Sequence, residues 1–578
     1  MKLTSKRGAV PAGGRPMIVE RDLPVPMDDG TILRADVFRP DRAGAFPVIM
    51  SLGPYGKSLP FQEGFAPRWE RLASGHPDVM DGSSCAHMNW ETVDPEQWVP
   101  HDYAVVRVDS RGAGRSPGVL DLLSPREVRD YYLAIEWAGS QSWSSGQVGL
   151  SGISYYAINQ WLVAALRPPH LAAILPWEGA ADHYRDMTHH GGILSNAFFD
   201  GWYPRQVLSV QHGRGQRGPL SSWTSDGLVA GPQTLADAGL RALRPDYLAA
   251  IRAHSLDDAW HQERSADLSQ ISVPLLSAGN WGGLGLHSRG NFEGFAGAGS
   301  RAKWLDVHTG RHEEIFYTAD GRQLQRRFFD HFLHGADNGW DAEPPVQLTI
   351  RHADGTTQRR GEQAWPIPRT EWTRWYLDAE MAALAARPPA AAASVAFDGL
   401  GDGITFSSAP LPSPLELTGP VQAILFVSST GTDADLFLTL RAFAPDGREV
   451  DFAGANDPHA PLSQGWLRLS HRELDPVRSL PWRPWHPHRA SQPAQPKQAY
   501  EVAVELWPTS VCLPAGYRVA LSVAGRDFAR ADSEGPFHGC GPFGHDDPAD
   551  RPATAAAHVI RVHSGEGTPT SLLLPVIP

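Results

Sequence analysis

Residues 149–157 read Gly-Leu-Ser-Gly-Ile-Ser-Tyr-Tyr-Ala, and how this string divides decides the fold. The apolar run QVGLSG before it has the texture of a buried strand. Ile158, Trp161, Leu162 and Ala165 after it recur at helical spacing. A strand that turns tightly through Gly152-Ile153-Ser154 into a helix holds the serine oxygen clear of the sheet, with a helix N-terminus behind it. This is what a nucleophile elbow requires. Ser154 is therefore the candidate nucleophile. Ser151 competes, because Gly149 stands two places before it, but it would need the strand to end three residues early. A plain helix cap at Ser154 is the non-catalytic alternative. The usual G-x-S-x-G would place Gly at Tyr156, whereas the small residue here is Ala157.

Working outward, FPVIMSLG (46–53) and YAVVRVD (103–109) are short and almost wholly apolar, as strands buried on both faces of a parallel sheet are. Residues 125–139 have helical spacing with Ser124 as N-cap, and LAAILPW, VPLLSAG and AKWLDVHTG continue an alternation of strand and helix. Upstream, residues 18–40 alternate around Asp28-Asp29-Gly30, a hairpin signal. The expected fold class is α/β: an α/β-hydrolase domain over 1–182 and 268–342, interrupted by a helical cap over 183–267. The cap follows from about 90 residues between two strands, far beyond an ordinary crossover, with helical patches at 232–243 and 246–254. Beyond about residue 340, VQLTIRH, QAILFVSS, DLFLTLRAF, AYEVAVELW and YRVALSVAG alternate cleanly. This predicts a C-terminal all-β jelly-roll sandwich over 343–578, with helical periodicity confined to an Ala-rich loop near 380–394.

Composition narrows the function. The 578 residues carry a formal charge of -13 and 42% hydrophobic residues, so the chain is globular and a phosphate backbone would be repelled. No apolar run reaches 18 residues and no signal-peptide core follows the basic N-terminus, so a cytoplasmic protein with neither nucleic acid nor membrane as partner is expected. The three cysteines, Cys85, Cys512 and Cys540, form no metal pattern. A Cys512–Cys540 bridge is the one disulfide to consider, and free thiols are the simpler expectation. There is no HExxH, and His189-His190 lack a carboxylate at helical spacing, so neither metal nor cofactor is expected.

Taken with Pro54-Tyr55-Gly56-Lys57 after one strand and Asp109-Ser-Arg-Gly-Ala-Gly-Arg-Ser116 after the next, the string Gly152 to Trp161 resembles the CocE/NonD hydrolases. These include cocaine esterase, α-amino acid ester hydrolases and X-prolyl dipeptidyl peptidases, and the resemblance extends over nearly the whole chain. It implies a serine hydrolase acylated at Ser154, with an oxyanion hole made by the Tyr155 N–H and the Tyr55 hydroxyl. The family's G-P-W-x-H string survives only as its histidine, His312, which is the expected general base; His308 is its strand-end competitor. The family acid, an Asp in a G-W-x-D string, is absent: Ala278-Gly279-Asn280-Trp281-Gly282-Gly283 has Gly where that carboxylate should be. A carboxylate at the end of strand six can substitute, so Glu178 is the expected acid, ahead of Asp182 and Glu293, with Asn280 as an uncharged orienter. Trp177, Trp202, Trp281 and Phe199 are the expected pocket walls. The expected substrate is a small-molecule ester. An amide, as for an X-prolyl peptidase or β-lactam acylase, is the alternative, and an inactive binding relative is a third reading. The sequence is compatible with a homo-oligomer.

Overall fold

The computed structural model describes residues 6–7, 16–530, 542–552 and 555–578. The hairpin at Asp28-Asp29-Gly30 joins β1 (Met17–Pro26) and β2 (Ile32–Pro40), paired antiparallel from Met17↔Pro40 to Pro26↔Ile32. β3 (Phe46–Gly53), β4 (Ala104–Asp109), β5 (Ser144–Ile153), β6 (Leu171–Trp177), β7 (Leu275–Asn280) and β8 (Lys303–His308) follow. They lie in the order β2-β4-β3-β5-β6-β7-β8, parallel from β4 onward. Every residue of β3 and β4 is buried, which is why these strands read as unbroken apolar runs. Helix α1 (Pro125–Gly139) starts where expected, with the Ser124 side chain accepting from the Glu127 N–H. α2 (Tyr155–Ala165) leaves the elbow with ten consecutive residues, Tyr155 to Ala164, buried.

VQLTIR departs from the expected domain boundary at 342/343. As β9 (Val346–Arg351) it pairs parallel with β8, Leu305↔Val346 to Val307↔Leu348, and carries β10 (Thr357–Glu362) antiparallel on its far side. The hydrolase sheet therefore runs on past residue 342. The strand's clean alternation suits either sheet. What assigns it is Val346, Leu348 and Ile350 packing with Leu305, Val307 and Trp281, while Arg351 reaches across to the Ser510 carbonyl of the sandwich.

The segment between β6 and β7 contains less regular helix than its patches suggest. Short helices at Asp237–Ala242 and Tyr247–Ala253 fall within them, beside α3 (Ala197–Trp202), π-helical turns at His183–Thr188 and Tyr203–Val207, and a small hairpin at His189–His190 and Ile193–Leu194. In the sandwich, the last strand (Ser571–Ile577) pairs with both Glu371–Asp378 and Leu415–Ser429, so that the sheet closes on itself. The Ala-rich 380–394 stretch is not helical: Ala383–Ala385 adds a short strand to Tyr376–Asp378, and Pro388-Pro389 would break a helix there. Cys540, one half of the disulfide considered from the sequence, lies outside the described residues. Among the described residues no helix is long and apolar enough to cross a membrane.

Candidate active site

β5 ends at Ile153, and Ser154 follows with φ 58° and ψ -115°, a left-handed conformation that costs a non-glycine residue about 1–3 kcal/mol. Surrounding backbone bonds hold it there. Ser154 N–H donates to the Trp177 carbonyl at 3.0 Å and Ile153 N–H to the Glu91 carbonyl at 3.0 Å, while Ser154 C=O accepts from Ala157 and Ile158, both at 2.8 Å. Gly152 is required by crowding: a Cβ there would lie 2.5 Å from Tyr156 Cβ and 3.1 Å from the Glu91 carbonyl. The methyl at Ala157, the departure from the family string, faces Gly179, where an added Cβ would come within 2.6 Å of it. Ala is accommodated because its neighbour is Gly. Ser151 is buried inside the strand with its Oγ 3.4 Å from Gln325, and does not reach the turn.

Two imidazoles meet at the elbow. Ser154 Oγ lies 3.0 Å from Nε2 of His287, a residue the sequence does not single out. The His287 ring stacks on His312, centroids 4.8 Å apart and planes 18° apart. His312, the expected base, does not bond to Ser154: its Nδ1 is 2.7 Å from Glu178 Oε2 and its Nε2 is 3.0 Å from Glu91 Oε1. Glu178, the expected acid, is fully buried at the end of β6. It also takes His308 Nε2 at 2.9 Å and Asn280 Nδ2 at 3.1 Å. Burial alone would raise the Glu178 pKa, but the His312 charge and the hydrogen bonds from both histidines outweigh it and hold the carboxyl well below the usual range. Burial would likewise lower His312, yet Glu178 and Glu91 push it up to about 10. His287, buried and beside that cation, is pushed down to about 3. Burial raises Glu91.

With the glycine of the family string set on Gly279, its acid falls on Gly282, and the space there is taken. A Cβ on Gly282 would sit against the Gly454 Cα, far inside van der Waals contact, and 3.1 Å from the Ala455 nitrogen. The sandwich loop 453–455 occupies that place. It is tied down by Ala455 N–H to the Gly282 carbonyl and by His312 N–H to the Ala455 carbonyl, both at 3.0 Å. The other acid candidates are engaged elsewhere: Asp182 caps the turn at Tyr184 and Arg185 and pairs with Arg185, and Glu293 pairs with Arg483. Asn280 orients Glu178 rather than the base, and His308 acts as a second donor to the same carboxylate.

Tyr55 follows the end of β3 and is buried. Its hydroxyl accepts the Trp202 indole N–H at 2.9 Å, so its own proton points elsewhere. Burial raises its pKa far above 10 and keeps it a donor. The Tyr155 N–H, at the first position of α2, has no acceptor within the helix, while the Tyr155 side chain turns into the core to donate to Glu127 at 2.5 Å. The loop carrying Tyr55 is pinned by its neighbour Lys57. The buried ammonium meets Asp22 and Asp36, each at 2.7 Å, and the Lys57 N–H meets Asp109 at 2.6 Å. Lys57→Met should lower unfolding stability by about 2–3 kcal/mol, since the fully buried Asp36 loses its ammonium partner and keeps Arg21; denaturant titration against wild type measures the loss.

Of the expected pocket walls, Trp202 and Phe199 pack together on α3 beside Tyr55. Trp177 is enclosed behind Glu178, between His308 and Phe316. Trp281 is not brought to the site: it packs against Phe292 and Trp365 under the sandwich, with its indole on the Thr349 carbonyl. Phe543, from the C-terminal domain, meets His287 and Phe198 instead. Glu178, His287 and His312 are the group among the described residues whose donor atoms, within 4.8 Å of one another, could hold an ion. Glu178 and His312 meet each other at 2.7 Å and His287 Nε2 meets Ser154, so an ion held through these atoms would have to displace the hydrogen bonds that define the site.

A strained serine at a strand-to-helix turn of a parallel sheet, facing the imidazole of His287, which stacks on a second imidazole held by a buried carboxylate, marks a serine hydrolase. Residues 29–314 match the X-Pro dipeptidyl-peptidase (S15 family), and residues 338–570 match the X-Pro dipeptidyl-peptidase C-terminal non-catalytic domain. A solved CocE/NonD family hydrolase from Staphylococcus aureus is 33% identical, with a TM-score of 0.84, over 98% of this chain and 94% of that one. The chain belongs to the CocE/NonD hydrolase family. Cocaine esterase from Rhodococcus sp. (strain MB1 Bresler) is 25% identical over 637 residues, covering 97% of this chain and 98% of the relative. An α-amino acid ester hydrolase, 18% identical with a TM-score of 0.69, shares the fold over 99% of this chain and 98% of its own.

Proposed function

We propose that this hydrolase cleaves carboxylic esters through an acyl-enzyme on Ser154, with the stacked imidazoles His287 and His312 and the Glu178 carboxylate managing the proton. The Tyr55 hydroxyl and the Tyr155 N–H receive the oxyanion. The observation that carries this reading is the 3.0 Å approach of Ser154 Oγ to an imidazole nitrogen at an elbow whose backbone strain is held by its neighbours. Ester is favoured over amide because an alkoxide leaves more readily than an amine, so the chemistry needs no further acid to assist departure. Trp202 and Phe199, from the segment over the sheet, supply apolar surface for the acyl group.

An aminoacyl ester or amide is the second reading. Glu91 Oε2 is buried with no partner among the described residues, and it is an acceptor that a substrate ammonium could take. The test is labelling with a fluorophosphonate probe alongside a screen of p-nitrophenyl acyl esters and aminoacyl amides. Labelling should fall on Ser154 and vanish in Ser154→Ala, with short acyl esters turned over fastest. Equal labelling of the alanine variant would refute the acyl-enzyme at Ser154, and a preference for aminoacyl amides would overturn the ester assignment.

A further inference from the structure

We propose that His287, rather than His312, takes the proton of Ser154, and that His312 is the fixed partner that holds Glu178 and Glu91 in place around it. This rests on the acyl-enzyme reading above and adds the identity of its base.

The argument begins with lone pairs. Both His312 nitrogens lie at hydrogen-bond distance from carboxylate oxygens, 2.7 Å from Glu178 and 3.0 Å from Glu91. If both carboxylates are ionised, both nitrogens carry protons and the ring has no lone pair. If Glu91 holds the proton, its O–H occupies the Nε2 lone pair instead. In neither state can His312 accept from Ser154. His287 differs: its Nε2 faces Ser154 Oγ at 3.0 Å, and its Nδ1 is buried with no partner among the described residues. With its proton on Nδ1, the ring turns the Nε2 lone pair onto the serine, the tautomer a base requires.

Charge cuts both ways: burial and the His312 cation hold the resting His287 ring neutral, while Glu178 favours a proton on it. Glu178, Glu91 and His312 together carry one surplus negative charge, wherever the proton between Glu91 and His312 resides. An imidazolium formed on His287, in ring contact with His312, neutralises that surplus among buried side chains, where an unbalanced charge is most costly. The sequence supplies the means of delivery. Trp281-Gly-Gly-Leu-Gly-Leu leads from β7 to His287 at the start of α4 (Ser288–Gly297), the loop folds back so that His287 N–H reaches the Gly283 carbonyl at 3.1 Å, and Gly285, at φ +82°, makes room for Phe543, which a Cβ would meet at 2.7 Å. The loop from which the family acid is missing thus carries a histidine to the nucleophile.

The step balances. Ser154 Oγ bonds to the ester carbon as its proton passes to His287 Nε2, and the carbonyl electron pair moves onto the oxyanion. Collapse restores C=O and breaks the bond to the alkoxide, which takes the proton from Nε2. Water then attacks the acyl-enzyme, leaves its proton on Nε2, and that proton returns to Ser154 Oγ as the carboxylic acid departs.

The test is the rate of Ser154 labelling by a fluorophosphonate, and of the p-nitrophenol burst, in His287→Gln, His287→Ala and His312→Ala, each checked by thermal melting. Gln keeps the shape and a hydrogen bond to the serine but cannot take up its proton. We expect His287→Gln to slow labelling by about a thousandfold at a wild-type melting temperature. If His287→Gln is misfolded, His287→Ala with added imidazole decides: recovery of the burst in that variant and not in His312→Ala supports the assignment. Labelling of folded His287→Gln within tenfold of wild type, or imidazole rescue of His312→Ala alone, overturns it. Failure of the wild-type enzyme to label at Ser154 would instead remove the acyl-enzyme reading on which it stands.

Discussion

Glu178→Gln should lower kcat for a short-chain p-nitrophenyl ester by about 10³–10⁴ while leaving KM within a few-fold of wild type. The carboxylate accepts from His312, His308 and Asn280, so three buried donors converge on two oxygens. An amide of the same shape retains one oxygen and turns two N–H groups toward at least one of those donors. The ring of His312 then loses the acceptor that fixes it, and the cluster loses the negative charge against which a serine-derived proton is taken up. Because Glu178 does not line the apolar side of the site, substrate binding should be little altered, and the loss should fall on the chemical step. Steady-state kinetics on the folded variant measure both parameters. Wild-type turnover would mean that the carboxylate only braces β6, and a rise in KM with kcat unchanged would make it a binding group.

Much of this arrangement is legible in the amino-acid string itself, and the reasons are local. The elbow declares itself because a strand, a turn and a helix are written contiguously, and because glycines mark the close approaches at 149 and 152. Glu178 comes first among several candidate acids, with Asp182 and Glu293 behind it, once Gly282 stands at the family's acid position. The base cannot. His312 is favoured by its place after the last parallel strand, but whether an imidazole faces the serine depends on what else competes for its nitrogens. Glu91, a lone acid in an irregular loop, gives no sequence signal. His287 has a weak one: a glycine-rich run ending in His at the head of a helix, which reads equally as a hinge. Trp281 is misassigned to the pocket because one Trp among 20 carries no address, and only the packing of Phe292 and Trp365 places it at the seam with the sandwich. The strand VQLTIR goes to the wrong sheet for a related reason, since alternation identifies a strand but not its neighbour.

Restoring the family acid in its usual place should damage the enzyme. Gly282→Asp puts a Cβ into the Gly454 backbone, which cannot yield as a flexible side chain would, so the 453–455 loop must withdraw. That loop holds the His312 backbone through the Ala455 carbonyl at 3.0 Å, and its displacement would free the ring clamped between Glu178 and Glu91. We expect a stability loss of about 3 kcal/mol, at the upper end for overpacking a close-packed site, and a fall in kcat/KM of at least a hundredfold, read from denaturant titration and ester turnover on the same preparation. In a Glu178→Gln background the new aspartate should restore nothing, because the space it would need belongs to the sandwich. Should the double variant recover turnover at wild-type stability, the acid position would be vacant rather than filled, and the shift of the carboxylate from β7 to β6 would need a cause other than the C-terminal domain pressing against the hydrolase sheet.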